Sequence, residues 1–204
     1  MGLNKRKVIK PSLMMNFMED MENKLIRAFI AIDFPDEVVK EIARVQEVLG
    51  KRQFTGKMTE PENLHLTLKF FGEIDEEKLK SIRKELKKIK FEKFEARLAE
   101  AGTFSHRGNP SIVWIKVGGK GIFELQEAVD EAMLKCGFGK EKRFMSHLSI
   151  ARVKYVKVPR EFVEYVRNLG VKELKWEVKE FRLMKSELNP MGPNYTVVEE
   201  FSSS

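Results

Sequence analysis

The stretch MSHLSIARV, Met145–Val153, has the composition of a buried strand, yet it carries one of only three histidines in 204 residues, with a hydroxyl two positions later. Side chains alternate between the two faces of a strand, so His147 and Ser149 share one face and Leu148 and Ile150 the other. A second stretch, NLHLTLKFFG, Asn63–Gly72, repeats the arrangement. There His65 and Thr67 lie on one face, with Leu64, Leu66, Leu68 and Phe70 on the other. Each strand can bury its apolar side under helices while offering an imidazole beside a hydroxyl. A lone His-x-Thr in a strand is commonly a half-buried histidine satisfied by a carbonyl. Two at matching places favour one shared site.

The match extends outward from these strands. Arg27–Ile32 is an apolar run of strand length, closed by Asp33-Phe34-Pro35-Asp36. Asp36 is the expected N-cap of an amphipathic helix ended by Gly50. The His65 strand is stopped by Gly72, a helix follows from about Asp75 to Lys90, Phe94–Phe104 is a strand, and Ser105–Pro110 (SHRGNP) is a loop. From Ser111 the order restarts: strand Ile112–Val117, helix Gly121–Cys136, strand Arg143–Val153, helix Pro159–Gly170 and strand Trp176–Leu188. Tyr195–Phe201 adds an edge strand. Ile30 precedes His65 by 35 positions and Ile115 precedes His147 by 32, so internal duplication is the simplest account. Residues 25–204 are thus expected to form one domain whose two lobes, about 25–109 and 110–204, come from the duplicated halves. Residues 1–24, rich in Met and charge, read as a mobile or helical extension.

Composition sets the limits. An apolar fraction of 42% over this length can bury a sizeable core. No run approaches the roughly 20 apolar residues of a membrane span. The first residues lack the apolar stretch of a secretory signal, which makes the cytoplasm the expected address. The single cysteine, Cys136, excludes an internal disulfide and reads as a small buried hydrophobe. No Cys/His spacing or clustered carboxylates suit a metal, so neither metal nor cofactor is expected. A net charge of +7 favours acidic partners, nucleic acid first among them, although much of the excess lies on lysine- and glutamate-rich helix faces. Abundant Lys and Glu beside three glutamines also fits a heat-adapted composition.

The paired stretches resemble the His-x-Thr/Ser-x motifs of the 2H phosphoesterases, and RAFIAID, Arg27–Asp33, is similar to the opening of their RNA 2′,3′-cyclic phosphodiesterase branch, also called 2′–5′ RNA ligase. The resemblance covers about residues 26–200. It implies an α+β bilobal fold: two pseudosymmetric lobes of antiparallel sheet, helices outside and a central cleft. It also implies hydrolysis of a terminal RNA 2′,3′-cyclic phosphate to a 2′-phosphate end, with reverse joining to a 5′-hydroxyl end. His65 would be the proton donor and His147 the acceptor. RNA ends, tRNA fragments among them, would be the partners of a monomer. Ser149 replaces the motif threonine but keeps the hydroxyl. A non-catalytic nucleotide- or RNA-binding module on the same fold is the alternative.

The chemistry suits these side chains. Opening a cyclic phosphodiester needs a base for water and an acid for the departing oxygen, on opposite sides of phosphorus. Two imidazoles with an ordinary pKa of about 6.5 can supply both near neutral pH. The hydroxyls of Thr67 and Ser149 can donate to the non-bridging oxygens. By resemblance Phe70 and Arg152, each five positions after its histidine, hold the nucleotide. Strict alternation points both away from the cleft, so either a bulge re-aims them or they are scaffold. Lys69 on the histidine face would add positive potential or be a solvated strand-end lysine. His106 reads as a surface loop residue, and Trp114 and Trp176 as core.

Overall fold

Apart from Arg27, the segment Ile26–Ile32 is apolar without alternation, and it forms strand β1, which is buried on both faces along most of its length. In this computed structural model residues 25–189 and 192–204 are described; the expected extension at 1–24 lies outside them. After β1 come α1 (Asp36–Gly50), β2 (Thr55–Met58), a 3₁₀ turn (Pro61–Asn63), β3 (Leu66–Ile74) and α2 (Glu76–Leu86). The chain continues through β4 (Phe94–His106), β5 (Asn109–Gly118), α3 (Lys120–Leu134), β6 (His147–Tyr155), α4 (Pro159–Arg167), β7 (Lys175–Val178), β8 (Glu180–Asn189) and β9 (Gly192–Ser202). Pro35 caps α1, and Asp36 is instead its first helical residue, where its charge meets the positive end of the helix dipole. Asp75 does cap α2, its carboxylate accepting from the Lys78 amide at 2.6 Å. SHRGNP is not a loop: the pair His106↔Asn109 closes a two-residue turn, with Arg107 and Gly108 both at positive φ.

All strands among the described residues join one antiparallel sheet in the order β7-β4-β5-β6-β3-β1-β8-β9, with β2 pairing β6. The half-sheets are not the half-chains 25–109 and 110–204. The fourth strand of each half crosses over: β4 pairs with β5, the first strand of the second half, and β8 pairs with β1. The two histidine strands meet at the centre. They share a single register pair, Leu66↔Leu148, and then part, and β2 occupies the edge of β6 that β3 leaves. Two half-sheets held at one pair and splayed beyond it make a cleft between them. β2 was absent from the sequence reading because TGKM is short, mostly exposed and without period.

The four helices among the described residues cover one face. Val38 and Ile42 of α1, Ile82 and Leu86 of α2, Val129 and Met133 of α3 and Phe162 and Val166 of α4 join Leu66, Leu68, Leu148 and Ile150 in one core. The opposite face carries a small apolar patch of Phe29, Ala31 and Met184 with Tyr195 against it. Cys136 is buried. Trp176 lies in the main core, whereas Trp114 is half-buried on the cleft face and outside it.

Both histidine strands carry a bulge at the same offset. In β3 the register runs Ala31↔Thr67 and then Ile30↔Lys69, leaving Leu68 extra. In β6 it runs Trp114↔Ser149 and then Val113↔Ala151, leaving Ile150 extra. Each bulge turns two successive side chains toward the helices, Leu68 with Lys69 and Ile150 with Ala151, and so returns the next residue to the cleft. Lys69 is therefore neither on the histidine face nor solvated: 3% exposed, it donates to Asp130 Oδ1 at 2.5 Å and to the Gly139 carbonyl at 2.7 Å. The other oxygen of Asp130 accepts from Gln126 at 2.9 Å and from the Glu141 amide at 2.8 Å. Burial pushes the Asp130 carboxyl up, but the hydrogen bonds from Lys69, Glu141 and Gln126 outweigh it and hold it below the usual range.

Removing one member of a buried pair strands the other charge. Asp130→Ala should cost about 3–5 kcal/mol, read as a lower urea midpoint at constant slope, and the double change Lys69→Met with Asp130→Leu should recover most of that loss. A single-variant loss under about 1 kcal/mol would mean that the ammonium reaches water instead.

Candidate active site

Each histidine is fixed by the chain just before it. His65 Nδ1 donates to the Asn63 carbonyl at 2.8 Å and His147 Nδ1 to the Met145 carbonyl at 2.7 Å. A carbonyl oxygen only accepts, so Nδ1 carries a hydrogen in both rings and Nε2 is the nitrogen left for chemistry. The antiparallel pair Leu66↔Leu148, extended by one residue, sets His65 opposite Ser149 and Thr67 opposite His147. The two motifs are thus laid crosswise on one face.

That face lines a cleft of about 580 Å³ bounded by His65, Thr67, His147, Ser149, Phe70 and Arg152, together with Arg27, Phe29, Asn63, Thr59, Ser186, Pro193 and Tyr195. The structure brings together the six residues that the sequence suggested for the site, His65, Thr67, Phe70, His147, Ser149 and Arg152. Phe70 and Arg152 reach the cleft because of the paired bulges, the first of the two alternatives. Phe70 is 46% exposed, and the guanidinium of Arg27 lies 4.8 Å from its ring centre. His106 is exposed at the far hairpin and takes no part in the cleft.

Sequence reasoning missed Arg27, Phe29 and Tyr195. Arg27 and Phe29 alternate with Ala28 and Ile30 on β1, so their common face follows once β1 is known to be covered on both sides. Tyr195 comes from β9, far along the chain, and no local signal places it there.

The rings around His65 set its charge. Phe29 packs at 4.8 Å between centroids, and Tyr195 meets it edge-on at 5.2 Å. Burial is the largest influence on His65 and lowers its pKa below the usual 6.5; the Asn63 carbonyl and the charge of Asp33 pull upward, and His147 pushes down. The net direction is down, so the free site favours a neutral His65. The carboxylate of Asp33 is itself paired with Arg182. Among the described residues, no three His, Cys, Asp or Glu side chains gather as a metal site would need.

The family model described as LigT like Phosphoesterase matches residues 32–114 and 116–195, both histidine strands included. The chain belongs to the LigT-like phosphoesterase family. It is 35% identical over 179 residues to the RNA 2′,3′-cyclic phosphodiesterase of Methanocaldococcus jannaschii, covering 86% of this chain and all of that one. With the enzyme of the same name from Archaeoglobus fulgidus it shares 36% over 178 residues, 86% of this chain and 99% of the relative. The crystal structure of TT0787 of Thermus thermophilus superposes with a TM-score of 0.72 at 30% identity, covering 86% of this chain and 97% of that one. These likenesses agree with the antiparallel α+β fold expected from the sequence.

The direction of the His65 shift is measurable. In a proton NMR titration of the free protein the His65 ring should titrate below about 6.5, and Tyr195→Ala, which admits water to the ring, should move it upward. Added inorganic phosphate should also raise it, because a neighbouring anion favours imidazolium. A midpoint above about 6.5 in the free protein would show that Asp33 and the carbonyl outweigh burial.

Proposed function

We propose that the chain hydrolyses the 2′,3′-cyclic phosphate at an RNA or nucleotide terminus to a 2′-phosphate, by acid–base catalysis between His65 and His147. The observation that carries this reading is the pair of imidazoles, each with Nδ1 tied to a carbonyl two residues upstream, converging with two hydroxyls in one cleft. The names of the archaeal relatives support the substrate class. A cleft of about 580 Å³ suits one nucleotide. No helix among the described residues is long and apolar enough to cross a membrane. We infer a monomer of the cytoplasm that acts on RNA ends, tRNA fragments among them.

The proposed steps use the groups that line the cleft. The phosphate settles between the rings, with the hydroxyls of Thr67 and Ser149 donating to its non-bridging oxygens, where charge builds up in the transition state. Nε2 of His147 takes a proton from water, the water oxygen bonds to phosphorus, and the bond to the ribose 3′-oxygen breaks. Nε2 of His65 gives that oxygen its proton. The 2′-oxygen keeps the phosphate. Phe70, backed by Arg27, offers a ring for the base, and Arg152 a cation for phosphate. With a 5′-hydroxyl RNA end in place of water, the same displacement yields a 2′–5′ link. The acid and base roles come from the family resemblance; the crosswise symmetry of the motifs alone would serve either assignment.

Incubation with a 2′,3′-cyclic nucleotide in EDTA, followed by phosphorus NMR, should show a 2′-phosphate as product. A 3′-phosphate would reverse the choice of leaving oxygen, and binding without turnover would favour a non-catalytic module. Replacing either histidine by Ala should cost about 10²–10⁴ in rate. A substrate with a better leaving group at the 3′ position needs no acid. It should rescue His65→Ala and leave His147→Ala inactive, and the opposite pattern exchanges the two roles.

A further inference from the structure

His147 has neighbours that the reaction as described leaves unused. Phe104 of β4 meets its imidazole edge-on, with centroids 4.9 Å apart and planes at 84°. Trp114 of β5 is the register partner of Ser149, and its ring centre lies 5.7 Å from that of Phe104. The indole lies so close over Gly102 that a Cβ there would fall 2.3 Å from it. Glycine is what lets the indole rest on bare backbone, and the half-buried indole borders an open pocket beside Gly102. Both rings are half-buried, yet they belong to neither apolar cluster and stand outside the cleft lined by Phe70 and Tyr195.

The duplication gives these rings a meaning. In register, Trp114 opposite Ser149 answers to Ala31 opposite Thr67, so the repeat carries an indole on the His147 side where the His65 side carries only a methyl group. Phe29 packs beside His65 in the half of the cleft that offers Phe70 and Tyr195. Phe104 packs beside His147 as Phe29 does beside His65, and Trp114 adjoins Phe104 at the margin of the cleft. In-line displacement requires an oxygen on each side of phosphorus. If the terminal nucleoside occupies the His65 side, the His147 side belongs to the attacking oxygen. Water needs no aromatic surface there, whereas an alcohol that carries a nucleoside gains one.

We propose that Phe104 and Trp114 form a second base-stacking subsite, for the RNA end whose 5′-hydroxyl attacks in 2′–5′ joining. The proposal rests on the functional reading above and gives the acceptor strand a place. The 5′-oxygen bonds to phosphorus while the bond to the 3′-oxygen breaks. Its proton passes to Nε2 of His147, and Nε2 of His65 returns one to the 3′-oxygen. The products are a 2′–5′ phosphodiester and a free 3′-hydroxyl, with no other reactant. Aromatic stacking accepts any base, so the subsite should discriminate little among acceptor sequences.

A dinucleotide ending in a 2′,3′-cyclic phosphate, mixed with a 5′-hydroxyl dinucleotide acceptor, reports joining and hydrolysis in one tube. The ratio of joined to hydrolysed product, read by mass spectrometry, should fall about tenfold or more in Trp114→Ala and by a smaller factor in Phe104→Leu. The advantage of a nucleoside acceptor over an abasic 5′-hydroxyl acceptor should disappear with it. A ratio within about twofold of the unmodified protein in both variants would overturn the proposal. Because the readout is a ratio, partial loss of folded protein does not mimic the effect. Binding is tested separately. Trp176→Phe leaves Trp114 as the only indole, whose fluorescence the acceptor dinucleotide should quench; no quench at millimolar acceptor overturns the subsite. If the unmodified protein hydrolyses no cyclic phosphate, the functional reading fails, and the quench still decides the subsite.

Discussion

The structure depends on one constraint: each central strand must bury its apolar face under helices and still deliver three side chains to the opposite face at unequal spacing. A regular strand delivers positions two apart. The histidine and the hydroxyl satisfy that spacing, but Phe70 and Arg152 do not, being five positions after their histidines. The extra residues Leu68 and Ile150 resolve the conflict by turning two neighbours inward. Leu68, Ile150 and Ala151 make this turn at no polar cost. Lys69 does not, and the structure meets its charge with Asp130, the Gly139 carbonyl and a carboxylate held by two further donors. The buried ion pair is thus a consequence of the bulge, and it ties β3 to α3 and to the segment that leads into β6.

The same constraint explains the crossing of strands. If β3 and β6 ran side by side along their whole length, the sheet would be flat at its centre and hold no cleft. They share one pair, Leu66↔Leu148, beyond which β2 satisfies the backbone of β6. The half-sheets then need another bond between the two halves of the chain. Exchange of the fourth strands provides it, since β4 belongs to the first half and pairs with β5, while β8 belongs to the second and pairs with β1. Each half-sheet is completed by the other half of the chain, so neither has its full set of strands alone.

Much of this was legible in the sequence. The period-two pattern around His65 and His147, and the near-equal spacing from the first strands, carried the α+β duplicated fold and the grouping of two histidines with two hydroxyls. Three things were not legible, each for a physical reason. A bulge has no composition of its own, so alternation alone left Phe70 and Arg152 undecided and put Lys69 on the wrong face. Strand exchange does not alter the order of elements, so lobes drawn along the chain were the natural and incorrect assumption. Tyr195 reaches His65 through tertiary packing of an edge strand, which no local pattern reports.

Duplication supplies two equal imidazoles, and the packing around them makes them unequal. His65 sits between Phe29 and Tyr195, and burial there favours its neutral form. A proton donor that prefers to be neutral looks like a contradiction until the substrate is counted. A cyclic phosphodiester brings a full negative charge, and two unit charges 4 Å apart near a protein surface attract by about 4 kcal/mol. That attraction acts against the effect of burial, so a seated anion raises the His65 pKa again. The substrate can therefore charge its own acid. Before it arrives, the buried ring avoids the cost of holding a charge away from water. Once the phosphate is seated, the same low-dielectric surroundings strengthen its attraction for imidazolium, and the proton is held beside the oxygen that will leave.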